Sequence, residues 1–427
     1  MNRGFRRFLL QGLPVAAEVF LSVYLVLIIS LFPDSTNYCN NLATLAAACG
    51  FGLLLLRPPK PKPDWPFWMF VLAIFGFYLL NDLAVHLAEN IPDLGVSMSK
   101  WKHLPGLLLA FATGISLRTR NSAGRVLAVL LAAAGLWYLG ELAGISWRPE
   151  VWQGNRYAAS REYHTILAME LLPLFSVYFS YALILKSRRL ALAALSGAVV
   201  IGTAIFLNKS RFVLLTMGFV TIPAAFVIQN RFGTFRQRLA EACLWIFVIA
   251  PAIGAFWYYN ASPERRSSYN ASLRISAWKI SAQITENSTW QKIVLGHGRF
   301  PRTFDALAAH YPTDYDKIDK NALVRGQYHH AHNVLVQTFL ETGILGVLAL
   351  MGIWLSAFYR ALSAWLKAKE PMPVSGAMAV AMLTIAVMAQ MDYCFYGVAG
   401  FICWFLIGLA FASGVEYDTD EPAGSRS

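Results

Sequence analysis

The sequence predicts an all-α integral membrane protein with about twelve transmembrane helices and one large, partly helical, outward-facing loop before the tenth helix. Apolar residues make up 57% of the 427 residues and charged residues only 14%, and the mean hydropathy is +0.48. The apolar residues form runs of mostly about 17 to 24, the length that crosses a bilayer as a helix. Lys and Arg recur in every second connection between these runs, as expected for a chain that crosses a membrane repeatedly.

Twelve apolar runs follow one another along the chain, and the fourth is the shortest. They lie near residues 14–32, 41–56, 66–84, 104–117, 126–143, 164–185, 190–207, 212–228, 240–259, 334–357, 374–391 and 396–413. Each predicts one transmembrane helix, since about 20 apolar residues span the hydrocarbon layer. The first run follows a basic segment and has no small-residue cleavage site after it, so we expect it to be retained.

Six segments, counting the N-terminus, carry three basic residues each. They are Arg3, Arg6 and Arg7; Arg57, Lys60 and Lys62; Arg118, Arg120 and Arg125; Lys186, Arg188 and Arg189; Arg231, Arg236 and Arg238; and Arg360, Lys367 and Lys369. The positive-inside rule assigns these segments to the cytoplasm, so both termini are predicted to be cytoplasmic. The net charge of +12 therefore indicates membrane topology and not nucleic-acid binding.

This pattern predicts four parts of the chain: nine transmembrane helices in residues 1–259, an outward loop or lid in 260–332, three further helices in 333–413, and a cytoplasmic tail in 414–427. The loop holds ten basic and six acidic residues, which favours an anionic ligand. Within it, residues 273–280 have helical spacing, with Leu273, Ala277 and Ile280 on one side. The sequence Gly296-His297-Gly298 predicts a turn.

The loop ends in His330-Ala331-His332-Asn333, directly before the tenth apolar run. His330 and His332, two residues apart, are expected on the same side of an extended lead-in. Asn333 is a candidate N-cap for the helix that follows. This arrangement would present imidazoles to a substrate held at the membrane surface.

Three interpretations of the histidines remain open. A zinc site would use His330 and His332 with His297 or His310, but no HExxH motif or cysteine pair accompanies them, and the five cysteines show no CxxC spacing. A structural role would be limited to the start of the helix. General base catalysis suits a neutral imidazole that accepts a proton from a sugar hydroxyl.

Asp314 and Asp316 form a DxD pattern that some glycosyltransferases use for a divalent cation, although adjacent lysines favour a solvated loop.

Arginines of the outward side are the candidates for anion binding. Arg211 ends a tight turn between two apolar runs, where a guanidinium either snorkels to the surface or meets an anion. Arg161, Arg265 and Arg274 belong to the same predicted side. Several converging guanidinium groups would suit a pyrophosphate, because arginine binds phosphate with two parallel hydrogen bonds.

Arg274 with Trp278, the segment 294–298, the histidine motif at 330–333 and Glu341-Thr342-Gly343-Ile344-Leu345-Gly346 together resemble the bacterial O-antigen ligase family. The resemblance implies a glycosyltransferase of the bacterial inner membrane that inverts the anomeric carbon. It would transfer polysaccharide from undecaprenyl pyrophosphate to the lipid A–core oligosaccharide, with no metal, nucleotide sugar or other cofactor. The outward loop would then be periplasmic.

By residue, the resemblance assigns the catalytic-histidine role to His332, with His330 beside it. It assigns pyrophosphate contact to Arg211 and also to Arg161, Arg265 and Arg274. O-antigen polymerases and protein O-oligosaccharyltransferases are similar in this region and remain alternatives. A lipid-linked glycan transporter is the non-enzymatic alternative, although the sequence shows few charges at mid-span and no pair of broken helices in its two halves.

Overall fold

The computed structural model describes residues 3–30, 36–56, 76, 104–117, 120–145, 164–208, 210–230, 269–298, 304, 307, 331–390 and 397–413. No strand occurs in these ranges, which agrees with the predicted all-α fold. The helices are α1 (Arg3–Ser30), α2 (Thr36–Leu56), α3 (Leu104–Ser116), α4 (Arg120–Ile145), α5 (His164–Ile184), α6 (Arg188–Asn208), α7 (Arg211–Thr216), α8 (Ile222–Gln229), α9 (Tyr269–Glu286), α10 (Trp290–Leu295), α11 (Val334–Lys367), α12 (Pro373–Ala389) and α13 (Gly397–Ser413). A π-helical turn, Met217–Thr221, joins α7 to α8.

Six stretches of these helices are long and apolar enough to cross a membrane, and three shorter apolar helices accompany them. The six are Gln11–Ser30, Ser122–Gly144, Leu167–Ile184, Arg188–Asn208, Phe212–Gln229 and Val334–Lys367. Ten of the twelve predicted runs coincide with described helices, while those near 66–84 and 240–259 lie outside the described residues apart from Gly76. The chain is a multi-pass membrane protein, and the count of twelve spans stays a prediction.

The core of the bundle is formed around α13 and α5. Every residue from Val398 to Ser413 is buried except Phe401, which is half-buried, and α13 packs against α3, α5, α11 and α12. α5 packs against α6, α8 and α12. Its buried carboxyl, Glu170, accepts a 2.7 Å hydrogen bond from the hydroxyl of Tyr138 on α4. This contact gives a polar group at membrane depth a protein partner, as the apolar surroundings require.

Two of the predicted basic connections, those after α5 and after α11, lie together at one end of the bundle. A β-carbon built on Gly376, near the start of α12, would lie 2.7 Å from Ile184 and 3.1 Å from both Ile228 and Trp365, so the ends of α5, α8 and α11 meet there. Lys186 and Glu370 form a 3.0 Å ion pair at the same end. The first residues of α5, α7 and α11 and the last residue of α12 therefore lie at the opposite end. The predicted alternation of connections agrees with this arrangement.

The tenth predicted run differs from α11 in two ways. α11 continues ten residues beyond 357, to Lys367, so Arg360 lies in a helix and not in a connection. The reason is that the buried stripe Ile353, Ala357, Ala361 and Trp365 keeps a spacing of four, so the packed face of the helix does not stop at 357. α11 is also broken at Gly343, where φ is 67° and ψ is −169°. The part after the break is about 36 Å long, enough to cross a bilayer alone.

Candidate functional site

Asn333 is the N-cap of α11, as predicted. Its backbone is extended, with φ −156° and ψ 126°, and its side-chain oxygen accepts hydrogen bonds from the amides of Leu335 at 2.8 Å and Val336 at 3.1 Å. These bonds satisfy two amide groups that have no carbonyl partner within the helix. The side-chain amide donates to the backbone carbonyl of Gln390 at 2.9 Å. Asn333 thus joins the start of α11 to the end of α12, at the end of the bundle opposite the ion pair.

His332 does not have the extended backbone expected for the lead-in. Its φ is +52°, and among the described residues it is the one non-glycine residue with positive φ. The left-handed region is unfavourable for a residue with a β-carbon and persists where neighbouring contacts enforce it, commonly at functional sites. The side chain is partly exposed. The extended backbone that would place His330 and His332 on the same side is therefore not present at His332. His330 lies outside the described residues.

Side chains from two helices hold the residue before His332. The amide of Ala331 donates to Gln337 Oε1 at 2.8 Å, and the carbonyl of Ala331 accepts from Trp278 Nε1 at 3.1 Å. Gln337 lies one turn into α11 and donates from Nε2 to Glu341 Oε1 at 2.6 Å. Trp278 comes from α9, so the loop part of the chain and α11 both fix this short segment.

The lid helix predicted at 273–280 is part of α9, and its apolar face packs against α11. Ala277, Ile280 and Ile284 are buried together with Ala331 and Leu340. Arg274 is partly exposed and lies one turn before Trp278 on the same helix face. The Trp278 hydrogen bond to Ala331 therefore brings this part of α9 next to His332.

The predicted turn at 296–298 is present and docks onto the break in α11. Gly296 and Gly298 have φ values of 81° and 95°. The amide of His297 donates to the carbonyl of Leu340 at 2.8 Å, and the amide of Gly298 donates to that of Glu341 at 2.9 Å. A helix break leaves carbonyls without their usual partners, and the turn supplies those partners.

The side chain of His297 is buried and contacts another protein side chain. It is 5% exposed, and its Nε2 lies 2.9 Å from Ser288 Oγ. Ser288 Oγ donates its own proton to the carbonyl of Ile284 at 2.6 Å, so the imidazole Nε2 is the donor in the contact with Ser288. The Nε2 atom of His297 is thus already engaged in a contact with a protein side chain.

The described residues contain no group of three His, Cys, Asp or Glu side chains that could hold a metal ion. His330, His310, Asp314 and Asp316, which belong to the metal interpretations, lie outside the described residues. The expectation that the site has no metal stays a prediction.

Arg211 is the first residue of α7. Two residues, Lys209 and Ser210, separate it from Asn208, the last residue of α6. α7, the π-helical turn and α8 form one span that ends near Ile228 at the ion-pair end, so Arg211 lies at the same end of the bundle as His332. The described part of Arg211 is its backbone. Arg161 and Arg265 lie outside the described residues, and their predicted phosphate contacts stay predictions.

Three residues of this site, Gln337, Glu341 and Gln390, had no predicted role. Gln337 and Glu341 are four residues apart, a spacing that brings side chains together on a helix, so their contact had a signal in the sequence. Nothing local signals that Gln390, more than fifty residues away, contacts Asn333.

Residues 174–351 match the family model described as Wzy_C, O-antigen ligase. This match covers less than half of the chain and supports the O-antigen ligase family. The resemblance proposed from the sequence is thereby confirmed. The matched segment runs from α5 into α11 and contains Arg211, Arg265, Arg274, His330 and His332, but not Arg161.

Members of the O-antigen ligase family are glycosyltransferase-like membrane enzymes that act on lipid-linked polysaccharides. A comparison with curated proteins gave no match.

Proposed function

We propose that this chain is an O-antigen ligase, an inverting glycosyltransferase at the periplasmic face of the bacterial inner membrane. It moves O-antigen polysaccharide from undecaprenyl pyrophosphate to a sugar hydroxyl of the lipid A–core oligosaccharide. The observation that carries the proposal is His332, held in a left-handed conformation at the mouth of α11 within the matched family domain.

His332 is the general base in this mechanism. Its neutral imidazole accepts the proton of the acceptor hydroxyl as the hydroxyl oxygen attacks the anomeric carbon. The bond between that carbon and the pyrophosphate oxygen breaks on the opposite face, so the configuration inverts. His330 stands beside this residue in the sequence and is the second candidate for the proton-transfer step.

Arginines bind and neutralise the donor pyrophosphate. Arg211, Arg161, Arg265 and Arg274 are the candidates, and guanidinium groups suit this task because they bind two phosphate oxygens at once. The charge on the leaving pyrophosphate grows in the transition state, so fixed cations lower the barrier. No metal or organic cofactor is needed for this chemistry, and undecaprenyl pyrophosphate leaves with the bond electrons.

An O-antigen polymerase or a protein O-oligosaccharyltransferase would use the same donor chemistry on another acceptor. Deleting the gene and separating lipopolysaccharide on a gel distinguishes these functions. Loss of a ligase leaves core without polymer, while the polymer accumulates on its lipid carrier. Loss of a polymerase leaves core that carries a single repeat, and loss of a protein transferase leaves lipopolysaccharide unchanged.

A lipid-linked glycan transporter is the alternative from another class, because broken helices mark binding sites in many transporters. In α11, however, backbone amides of His297 and Gly298 occupy the carbonyls next to the break. This favours a fixed structural role for the break over an ion or substrate site.

The direct test uses the purified full chain in detergent with the lipid-linked donor and lipid A–core acceptor. Formation of the joined product, unchanged by EDTA, supports the proposed ligase. Loss of product with EDTA and its return with a divalent ion would move the aspartates or histidines into a metal site. Movement of donor across vesicle membranes without bond formation would favour the transporter.

A further inference from the structure

His332 is held between two residues whose polar groups are already engaged. Before it, the amide and the carbonyl of Ala331 bond to Gln337 and Trp278. After it, the side chain of Asn333 caps α11 and bonds to Gln390. A left-handed φ is unfavourable for a residue with a side chain, so contacts with neighbouring residues must enforce it. The two contacts that hold Ala331 come from the side chains of Gln337 and Trp278, neither of which has an assigned function.

The orientation of the Gln337 amide is determined by its two partners. Its oxygen faces the Ala331 amide at 2.8 Å, and its nitrogen faces a carboxylate oxygen of Glu341 at 2.6 Å. Rotating the amide by half a turn would place donor against donor and acceptor against acceptor. Gln337 and Glu341 are each 1% exposed, so water does not replace these partners.

The same chain of contacts reaches the lid. The backbone carbonyl of Glu341 accepts from the amide of Gly298, in the turn that docks onto the break of α11. Trp278 reaches Ala331 independently, from α9. The backbone of Ala331, the residue before His332, is therefore fixed from α11 and from α9 at once.

We propose that Gln337 and Trp278 are positioning residues that set the direction of the His332 imidazole. The proposal rests on the proposed function, in which His332 is the general base. Gln337 sets the Ala331 amide and Trp278 sets the Ala331 carbonyl, so together they fix the backbone of one residue, Ala331, on both sides of its α-carbon. Neither residue needs to touch the donor, the acceptor or the reacting atoms. Proton transfer depends on the distance and angle between imidazole and hydroxyl, so a shift of the backbone lowers turnover and leaves pyrophosphate binding intact.

The test compares Gln337→Leu, Trp278→Phe and the double variant in the full chain, with donor and acceptor in detergent. Each single substitution should lower kcat by about a hundredfold, the effect expected of a misplacement near 1 Å. Donor affinity should change by less than about twofold. Because both residues act through the backbone of Ala331, the double variant should be no slower than the slower single variant within about twofold.

Trp354→Phe is the matched control. Trp354 Nε1 also donates to a backbone carbonyl, that of Met382 at 3.0 Å, but within the bundle between α11 and α12. This substitution should leave kcat within about twofold of the parent and combine multiplicatively with Gln337→Leu. If the chain with Gln337→Leu does not fold, Gln337→Met replaces it, since methionine is unbranched and flexible and lacks the oxygen that accepts from the Ala331 amide.

Two results would overturn the proposal separately from the proposed function. If His332→Ala abolishes ligation while Gln337→Leu and Trp278→Phe turn over like the parent, the positioning roles are wrong and the base assignment stands. If the two losses in kcat multiply in the double variant, the residues act independently and not through His332. If His332→Ala itself keeps full turnover, the proposed function of His332 fails, and the positioning proposal fails with it.

Discussion

Gly296 and Gly343 lock two distant parts of the chain together, since each packs against the backbone beside the other. A β-carbon built on Gly296 would overlap the amide nitrogen of Thr342, and one on Gly343 would overlap the carbonyl oxygen of Val294. Both residues also have positive φ, 81° and 67°. Glycine alone allows this backbone shape and this close approach together.

Substituting either glycine by alanine should therefore release the lid from α11. The positive φ alone costs about 1–3 kcal/mol, and the overlap with backbone atoms adds to it because those atoms cannot rotate away. We expect Gly343→Ala and Gly296→Ala to lower the melting temperature in detergent and to expose residues 287–298 to protease. Gly140→Ala in α4 is the control, since nothing lies within 4 Å of its added carbon. Equal protease resistance in all three variants would contradict the lock.

Local sequence patterns account for several features of the site. An asparagine directly before an apolar run predicted the cap of α11, and the glycines around His297 predicted a turn. Both features depend on residues close together in the chain, and both are present. The helical spacing at 273–280 likewise predicted the helix that became α9.

The break at Gly343 could not be predicted in the same way. Apolar residues continue on both sides of it, so the hydrophobic pattern does not change there, and a glycine within a membrane helix is common. The break is stabilised by contact with residues 294–298, which are distant in sequence. The left-handed backbone of His332 has a similar cause, because Trp278 and Gln337 hold the preceding residue from separate helices.

The two ends of the bundle give a topology prediction. Single cysteines introduced at residues 187 and 369, beside the Lys186–Glu370 ion pair, should react with a membrane-impermeant reagent only after the inner membrane is opened. A cysteine at residue 287 should react in cells whose inner membrane is intact. The native cysteines are replaced by serine beforehand, and that parent provides the background. Labelling of 187 in intact cells would reverse the orientation and place the site in the cytoplasm.

Lys292 on α10 should make stability depend on pH. Partial burial lowers the pKa of this lysine below its usual value of 10.5, because desolvation disfavours the charged form. The folded state thus binds its proton less tightly than the unfolded state, so the penalty is complete below the folded pKa and disappears as pH rises toward 10.5. Lys292→Met should raise the melting temperature at neutral pH, and this gain should shrink at alkaline pH. Lys279→Met, at an exposed site on α9, should show neither effect.

Substitutions of Arg211 test the proposal that this residue binds the donor pyrophosphate. Arg211→Ala should weaken donor binding and turnover together, because a guanidinium that holds the pyrophosphate also neutralises it as it leaves. Arg211→Lys should recover only part of either property, since an ammonium group cannot bind two oxygens in parallel. Arg189→Ala, at the opposite end of the bundle, should change neither. An unchanged donor affinity in Arg211→Ala would show that this residue only ends a helix at the membrane surface.

Substitutions of His332 distinguish a general base from a residue that binds the donor. His332→Asn keeps a residue that tolerates the left-handed backbone, so the fold and the donor site should persist. It removes the imidazole, and loss of a general base lowers turnover by about a hundred- to ten-thousand-fold. We therefore expect His332→Asn to bind donor like the parent and to ligate at a small fraction of its rate. His332→Ala should be as slow and also less stable, since alanine is disfavoured at a φ of +52°. If His332→Asn loses donor binding and keeps its rate at saturating donor, the histidine holds the substrate, and a different group must accept the proton.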